Sequence, residues 1–398
     1  MDRLSGKRVV LGVSGGIAVY KTVELVRALQ KAGADLQIVM TSMAKTFVGE
    51  ETFSSISGKP VLSDVKGMEH ITVPHSSDIF IVAPATANII GKFANGIADD
   101  LLSTMLLATE CPIIFVPSMN TSMWKNPSVK KNVDYLKKSG VLVVEPEEGE
   151  LACGEYGEGR FPQIEKIIFF AEYALSSKEL SGKEVLITAG GTREFIDTIR
   201  FISNSSSGFM GYCLAYESLL RGAKTTLVTC TETYGIETFG ASVAKVISSE
   251  DMYKKVMEKI DGDGVDIFIS SAAVSDFKPL KKAQKKIKKD ELSGDKFIVE
   301  LEKTKDILLE VSTKIARKRK IIIGFALEDD ESGIESARKK LRERNLDAIV
   351  FNTISSINSE RGNFWLLTPS EEKYLGELEK KELAFSLFEF IKDKFKLK

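Results

Sequence analysis

Few side chains in this sequence titrate near neutral pH or act as strong nucleophiles. There are two histidines, His70 and His75, and four cysteines, Cys111, Cys153, Cys213 and Cys230. The cysteines lie far apart without CxxC spacing, which argues against a zinc site or a disulfide framework. Cys153 stands in ACGEYGEGR, a glycine-flanked polar loop suited to a mobile flap, whereas Cys111, beside Pro112 and an apolar run, reads as packing. Other candidates are backbone and hydroxyl groups. GVSGGIAVYK follows an apolar run and opens a helical pattern, so Ser14, Gly15 and Gly16 precede N–H groups that can bind a phosphate. The stretch is neither GxGxxG nor a Walker loop. The next run, LQIVMTSMA, ends in Thr41 and Ser42 where a dinucleotide site would want a carboxylate, which favours a phosphate or a flavin edge over an NAD ribose. Further on, TAGGTREFIDTIRFISNSSSGFMG repeats the order glycine, hydroxyl and amide run, helix, a layout suited to phosphates, and KPLKKAQKKIKK (278–289) is a dense lysine run.

These groups need elements to position them. Apolar, β-branched runs alternate with stretches of helical period, the pattern of parallel-sheet βαβ units. Strands are expected at 8–13, 36–41, 79–83, 113–117 and 141–144, and again at 184–188, 225–229, 265–270, 320–325 and 347–351. The lead-in LSGKRVVLGVSGG (4–16) returns as LSGKEVLITAGG (180–191), so the chain starts a second time in its middle. At 398 residues it exceeds the roughly 250–300 at which single cores stop growing. The expectation is two α/β, Rossmann-like domains with mainly parallel sheets, at 1–178 and 179–398. Lys+Arg 55 against Asp+Glu 56 gives a formal net charge of −1, so no global field draws the chain to nucleic acid or a membrane. No apolar run approaches the roughly 18 residues of a span and the start has no signal-peptide core, so a cytoplasmic protein is expected.

Four stretches of the first half, MEHITVPHSSD, APATANIIGKFANGIADDLLS, VPSMNTSMW and ACGEYGEGR, in this order resemble the flavin-containing cysteine decarboxylase family, and within it phosphopantothenoylcysteine decarboxylase. The resemblance implies a flavodoxin-like domain that uses FMN. It makes His70 the catalytic histidine, with His75 its only competitor, Asn120 the group that binds the substrate carboxylate, and Cys153 the proton donor. Ser14, Gly15, Gly16, Thr41, Ser42 and the PATAN segment through Asn88 would hold FMN.

The second half carries SSAAVSDF, KKIKK, LEKTKDIL, IIIGFALE and ARKKLRERNLDAIVFN beside TREFID and ISNSSSG, and is similar to phosphopantothenate–cysteine ligase. What that implies is CTP as co-substrate, Mg²⁺ with ligands not readable from the sequence, an acyl-cytidylate, and its capture by cysteine. Asn204 would bind the acyl-cytidylate and assist the attack, Lys286 would be the triphosphate and catalytic lysine, and Asp276, Lys303, Phe325, Lys340 and Arg344 would line the nucleotide site. Arg344 replaces the usual lysine, offering a planar fork in place of a point charge. Together the halves resemble the bifunctional family of coenzyme A biosynthesis, whose decarboxylase domains form trimers and ligase domains dimers. A homo-oligomer, in closed form a dodecamer, is the assembly the resemblance implies. Three alternatives remain: only one half is active, the first half is a flavin-binding regulatory subunit, or it is a purely structural Rossmann-like scaffold.

Overall fold

The computed structural model describes residues 3–152, 154–262, 264–288, 296–315 and 320–396. Within it the chain forms two compact units, Met1–Ser176 and Ser177–Lys398.

In the first unit a parallel sheet has the order β2-β1-β3-β4-β5, built from β1 (Arg8–Val13), β2 (Asp35–Met40), β3 (Ile79–Ala85), β4 (Ile113–Pro117) and β5 (Leu142–Val143). β1 and β3 are apolar almost throughout because both faces are covered. One face packs on helices Val19–Lys31, Glu50–Ser57 and Ile164–Leu175, the other on Ala87–Ala94, Leu101–Leu107 and Pro127–Lys138. Helix Val19–Lys31 shows why: Val19, Thr22, Leu25, Val26 and Leu29 fall on one stripe and are buried. A hairpin of β6 (Glu147–Glu150) and β7 (Tyr156–Arg160) stands apart from the sheet.

The second unit holds an eight-stranded sheet of order β12-β11-β8-β13-β16-β17-β18-β19. Its strands are β8 (Glu184–Ala189), β11 (Lys224–Thr229), β12 (Ser242–Lys245), β13 (Ile267–Ser270), β16 (Ile321–Glu328), β17 (Ala348–Thr353), β18 (Arg361–Leu367) and β19 (Glu372–Glu379). The last two run antiparallel. Short ribbons pair β9 (Arg193–Phe195) with β10 (Phe201–Ser203) and β14 (Phe277–Pro279) with β15 (Leu301–Lys303). Helices Ser249–Asp261, Ile307–Ile315 and Ile334–Glu343 share a core with Leu186, Phe268, Ile322 and Ile349 on one face. The alternate strand residues, such as Ile187, Ile269 and Ile323, are buried on the other, where helices Phe209–Leu220 and Lys380–Phe395 pack on each other.

The repeated lead-in has a structural cause. Leu4 and Leu180 are buried, and Gly6 (φ 71°) and Gly182 (φ 78°) turn in the left-handed region, where only glycine is unstrained. Lys7 and Lys183 then pair with Asp78 and Asp266 at 3.2 and 3.4 Å. Those aspartates accept the N–H of Arg8 (2.8 Å) and Glu184 (2.9 Å), the first residue of each unit's first parallel strand. Asp347 does the same for Ile322 at 2.7 Å. Each aspartate precedes a strand and ties it to a neighbour, satisfying a strand-end N–H that no ladder reaches.

All ten expected strands exist and pair in parallel within their units. The edge strand β12, the antiparallel β18–β19 and the small hairpins are additional. Among the described residues no helix is long and apolar enough to cross a membrane.

Candidate functional site

In both sheets chain order reverses beside the first strand, between β1 and β3 and between β8 and β13, and at such switch points the loops diverge and open a crevice at the strands' carboxyl ends.

The first cleft encloses about 920 Å³. Ser14, buried at the end of β1, bolts its two sides together: its Oγ donates to the Pro84 carbonyl at 2.7 Å and accepts the Thr86 N–H at 3.0 Å. That hydroxyl is committed to protein, so what the loop offers a ligand is the main chain that follows. Gly15 is needed because a Cβ there would sit 2.3 Å from Met43 Cγ. Thr41 caps the short helix Ser42–Lys45 by accepting the Ala44 N–H at 3.3 Å. Ser14, Gly15, Gly16, Thr41, Ser42, Asn88 and Asn120 all line this cleft.

Asn120 caps helix Thr121–Lys125 through the Ser122 N–H at 2.8 Å, and its Nδ2 donates to Glu155 Oε2 at 2.7 Å. The β6–β7 hairpin lies against it: Met119 N–H meets the Gly159 carbonyl at 3.0 Å. Gly159 (φ 136°) permits that approach, since a Cβ there would lie 2.0 Å from the Met119 oxygen. Cys153 lies outside the described residues. Of the described residues beside it, Gly154 donates its N–H to the Leu151 carbonyl at 2.9 Å, and Leu151 and Ala152 line the cleft. Glu155, which reaches Asn120 across this loop, was not among the expected site residues.

His70 stands apart. It lies in helix Glu69–His75, half-buried, with Nδ1 3.1 Å from the Gly67 carbonyl, and it does not line the cleft of its own chain. A carbonyl only accepts, so Nδ1 carries the proton and the lone pair is on Nε2. His75 is exposed at the helix end. Burial pushes the thiols of Cys111 up to about 11 and of Cys213 and Cys230 up to about 12, so all three stay protonated at neutral pH and serve as packing. Among the described residues no cluster of histidine, cysteine and carboxylate side chains could hold a metal.

The second cleft encloses about 940 Å³ and brings together Asn204, Asp276, Lys303, Phe325, Lys340 and Arg344. Asn204 Nδ2 donates to the carbonyls of Ala273 (3.3 Å) and Val274 (3.2 Å), which turns its Oδ1 away from that loop. Gly191 allows the crossing, because a Cβ there would come within 2.3 Å of the Asn204 oxygen. Lys340 Nζ donates to the Phe325 carbonyl at 2.9 Å. Burial, reinforced by Arg344 nearby, pulls its pKa below 10.5 against the opposing pull of Asp306 and Asp276. Arg344 holds one oxygen of Asp306, Oδ2, from two nitrogens at once, Nε (2.8 Å) and Nη2 (2.6 Å), a fork that a lysine's single nitrogen lacks.

Lys286 does not line this cleft. Its loop is anchored elsewhere: Asp197 Oδ2 accepts the Ile287 N–H at 3.2 Å, and Arg200 donates to the Ile287 carbonyl at 3.1 Å. N–H bonds from Arg200 and Ile199 add to these and hold the Asp197 carboxyl below the usual carboxylate range. The TREFID motif thus supplies the anchor of the lysine loop. Asn352, the last residue of ARKKLRERNLDAIVFN, also lines the cleft, as do Lys380 and Asn358, which fall in no motif that the sequence reading used.

Residues 1–175 match the family described as Flavoprotein, and residues 180–395 the DNA/pantothenate metabolism flavoprotein C-terminal domain. The chain is 37% identical to the coenzyme A biosynthesis bifunctional protein CoaBC of Vibrio vulnificus (strain YJ016), over 98% of each chain. It is 42% identical to that of Bacillus subtilis (strain 168), over 89% of this chain and 87% of the relative. Among solved structures, the C-terminal domain of a coenzyme A biosynthesis bifunctional protein CoaBC aligns at 31% identity with a TM-score of 0.44, covering 55% of this chain and 99% of that one.

Proposed function

The chain belongs to the family of bifunctional coenzyme A biosynthesis proteins, and on that premise we propose that its Rossmann-like second unit joins cysteine to 4'-phosphopantothenate at the expense of CTP, while its flavodoxin-like first unit decarboxylates the product with FMN to 4'-phosphopantetheine. The observation that supports this reading is that one switch-point cleft is lined by Ser14, Gly15, Gly16, Thr41, Ser42, Asn88 and Asn120, and the other by Asn204, Asp276, Lys303, Phe325, Lys340 and Arg344.

In the ligase cleft the chemical difficulty is a poor leaving group. Transfer of the acyl carboxylate to the α-phosphate of CTP replaces it by CMP and releases pyrophosphate. Lys303, Lys340 and Arg344 stabilise the charge that accumulates on the phosphates, with Lys286 brought in on its loop. Mg²⁺ carried by the triphosphate needs only one or two protein carboxylates, and Asp276 lines the cleft. Asn204, braced by two carbonyls, presents Oδ1 to the acyl-cytidylate as the cysteine amine attacks.

In the first cleft, the glycine loop cradled by Met43, the Thr41 and Ser42 hydroxyls and a volume within the ordinary range for a cofactor-sized ligand fit FMN. When bound, FMN supplies a two-electron acceptor that makes loss of carbon dioxide from a cysteinyl carboxylate feasible. Asn120 donates to that carboxylate after releasing Glu155. Nε2 of His70 is the base and the thiol of Cys153 the acid that returns a proton. His70 and Lys286 lie off the clefts of their own chain, which supports an assembly of trimers and dimers, a dodecamer in closed form, in which neighbours complete the sites. We place this assembly in the cytoplasm.

The test is to incubate the purified chain with phosphopantothenate, cysteine, CTP and Mg²⁺ and follow products by mass. The wild type forms phosphopantetheine. Cys153→Ser stalls after decarboxylation at a product two hydrogens lighter, and Asn204→Ala stalls before the amide. Unchanged product spectra for both variants would overturn the site assignments.

A further inference from the structure

In the first cleft Asn120 already holds a carboxylate, and it belongs to the chain itself. Its Oδ1 is committed to the Ser122 N–H at 2.8 Å, which fixes the sense of the amide and makes Nδ2 its donor side. Nδ2 meets Glu155 Oε2 at 2.7 Å, a charge-assisted bond of the kind a substrate carboxylate would make. Asn120 lines the cleft and Glu155 does not, so the glutamate reaches the amide from the side of the hairpin.

The hairpin does not depend on this bond. The Gly159 carbonyl accepts the Met119 N–H at 3.0 Å and the Ser118 hydroxyl at 3.3 Å. Gly157 lies against Thr121, where a Cβ would come within 2.5 Å of the threonine Oγ1. The hairpin is thus fastened on both sides of Asn120. The main chain of Glu155 is fixed as well, its carbonyl accepting the Leu151 N–H at 2.8 Å. What moves is one exposed side chain, and such a side chain changes rotamer far faster than an enzyme turns over. Of the other glutamates in the hairpin, Glu147 is committed to the Gln163 N–H at 2.9 Å, a tie within the scaffold. Glu155 is tied instead to a group that the reaction uses.

Two carboxylates on one amide nitrogen stand close enough to repel each other. Binding at Asn120 is therefore an exchange, in which the substrate carboxylate enters as Glu155 leaves. The exchange reverses when carbon dioxide departs, because charge drains from the substrate carboxylate and the bond to it fails. That reversal bears on rate. A hydrogen bond made to the substrate and lost in the transition state deepens the ground state and slows the step. A second acceptor poised beside the amide offsets the loss.

We propose that Glu155 is a positioning residue for decarboxylation: it stands in for the substrate carboxylate on Asn120, is displaced on binding, and returns as carbon dioxide leaves. Recognition of the carboxylate then adds nothing to the barrier. The proposal rests on the decarboxylase reading of the first cleft.

The test uses the full chain, loaded with FMN, as wild type, Glu155→Ala and Glu155→Gln. Carbon dioxide release from phosphopantothenoylcysteine gives KM and kcat, and inhibition by 4'-phosphopantetheine, which has no carboxylate, gives the affinity for product. Without the stand-in, substrate binds with nothing to displace, and the returning bond is missing from the transition state. KM and kcat should therefore fall together, each about three- to tenfold in Glu155→Ala, while kcat/KM and the product's inhibition constant each stay within about twofold. Glu155→Gln, whose amide oxygen accepts the N–H without the charge, should fall between wild type and Glu155→Ala. Any other pattern overturns the proposal. A lower KM with kcat unchanged makes Glu155 a competitor that does not return, and a higher KM makes it a structural tie. A fall in kcat alone, or no change, shows that it does not exchange with the substrate. If the wild type itself releases no carbon dioxide, the decarboxylase reading has failed and takes the proposal with it; release by the wild type without the paired fall in Glu155→Ala refutes the proposal alone.

Discussion

At the scale of single residues, environment separates groups of the same type. Lys303 is exposed and free to follow a ligand, whereas Lys340 is held against the Phe325 carbonyl and its burial makes the charged form less stable than in water. A lysine whose pKa is pulled down is fully charged at low pH and loses its proton before an ordinary lysine as pH rises. The nucleotide KM should therefore climb on the alkaline side at a pH below 10.5. Lys340→Arg should flatten that limb, because guanidinium stays charged; an unchanged profile would show that Lys340 does not meet the triphosphate. What was legible at this scale was whatever a short motif carries: the glycine pair after β1, Asn120 between two methionines, Asn204 in a serine run. Glu155 was not legible, since its part in the site comes from a contact with a segment distant in the chain, Asn120.

At the scale of elements, the ten parallel strands declared themselves because strands covered on both faces must be apolar without interruption. β19 hides the same architecture in EKYLGELE, whose exposed edge position lets charge replace alternation, so it carries no apolar signal. Two charged residues do structural work between elements. Arg221, at the end of helix Phe209–Leu220, is 1% exposed and bonds Glu217 (2.6 Å), Glu179 (2.5 Å) and Glu389 (2.7 Å), joining the start of the unit to its last helix. Arg221→Met strands buried carboxylates and should cost about 3–5 kcal/mol, read from the unfolding of the second unit in the full chain. Burial alone would raise the pKa of Glu179, but its hydrogen bonds and the guanidinium outweigh this and hold it below its ordinary 4.5. Its contribution is thus present above pH 4.5 and lost as pH falls through the depressed value, so acid should destabilise the wild type more than Arg221→Met. Asp197 is the second such residue. Asp197→Asn weakens the anchor of the Lys286 loop and should raise the nucleotide KM about three- to tenfold with the fold's melting temperature little changed; loss of the fold instead would make Asp197 a purely structural acid.

At the scale of the whole molecule, two starts in one chain give two units with a cleft each, and two proposed catalytic residues lie off the clefts of their own chain. If neighbours complete the first cleft, His70→Ala and Asn120→Ala protomers, each inactive in decarboxylation, should regain activity when dissociated and reassembled together. Random mixing leaves about a quarter of sites with both residues intact; no recovery would put His70 to work within its own chain. Assembly was the least legible level, because nothing in −1 net charge or in the apolar pattern distinguishes an interface from a solvated face. The most direct measurement of the central claim follows heavy oxygen placed in the carboxylate of phosphopantothenate through one reaction with cysteine and CTP. The account predicts one labelled oxygen in CMP and one carbon dioxide released for each phosphopantetheine formed. Unlabelled CMP, or triphosphate left intact beside both acceptors, would contradict it.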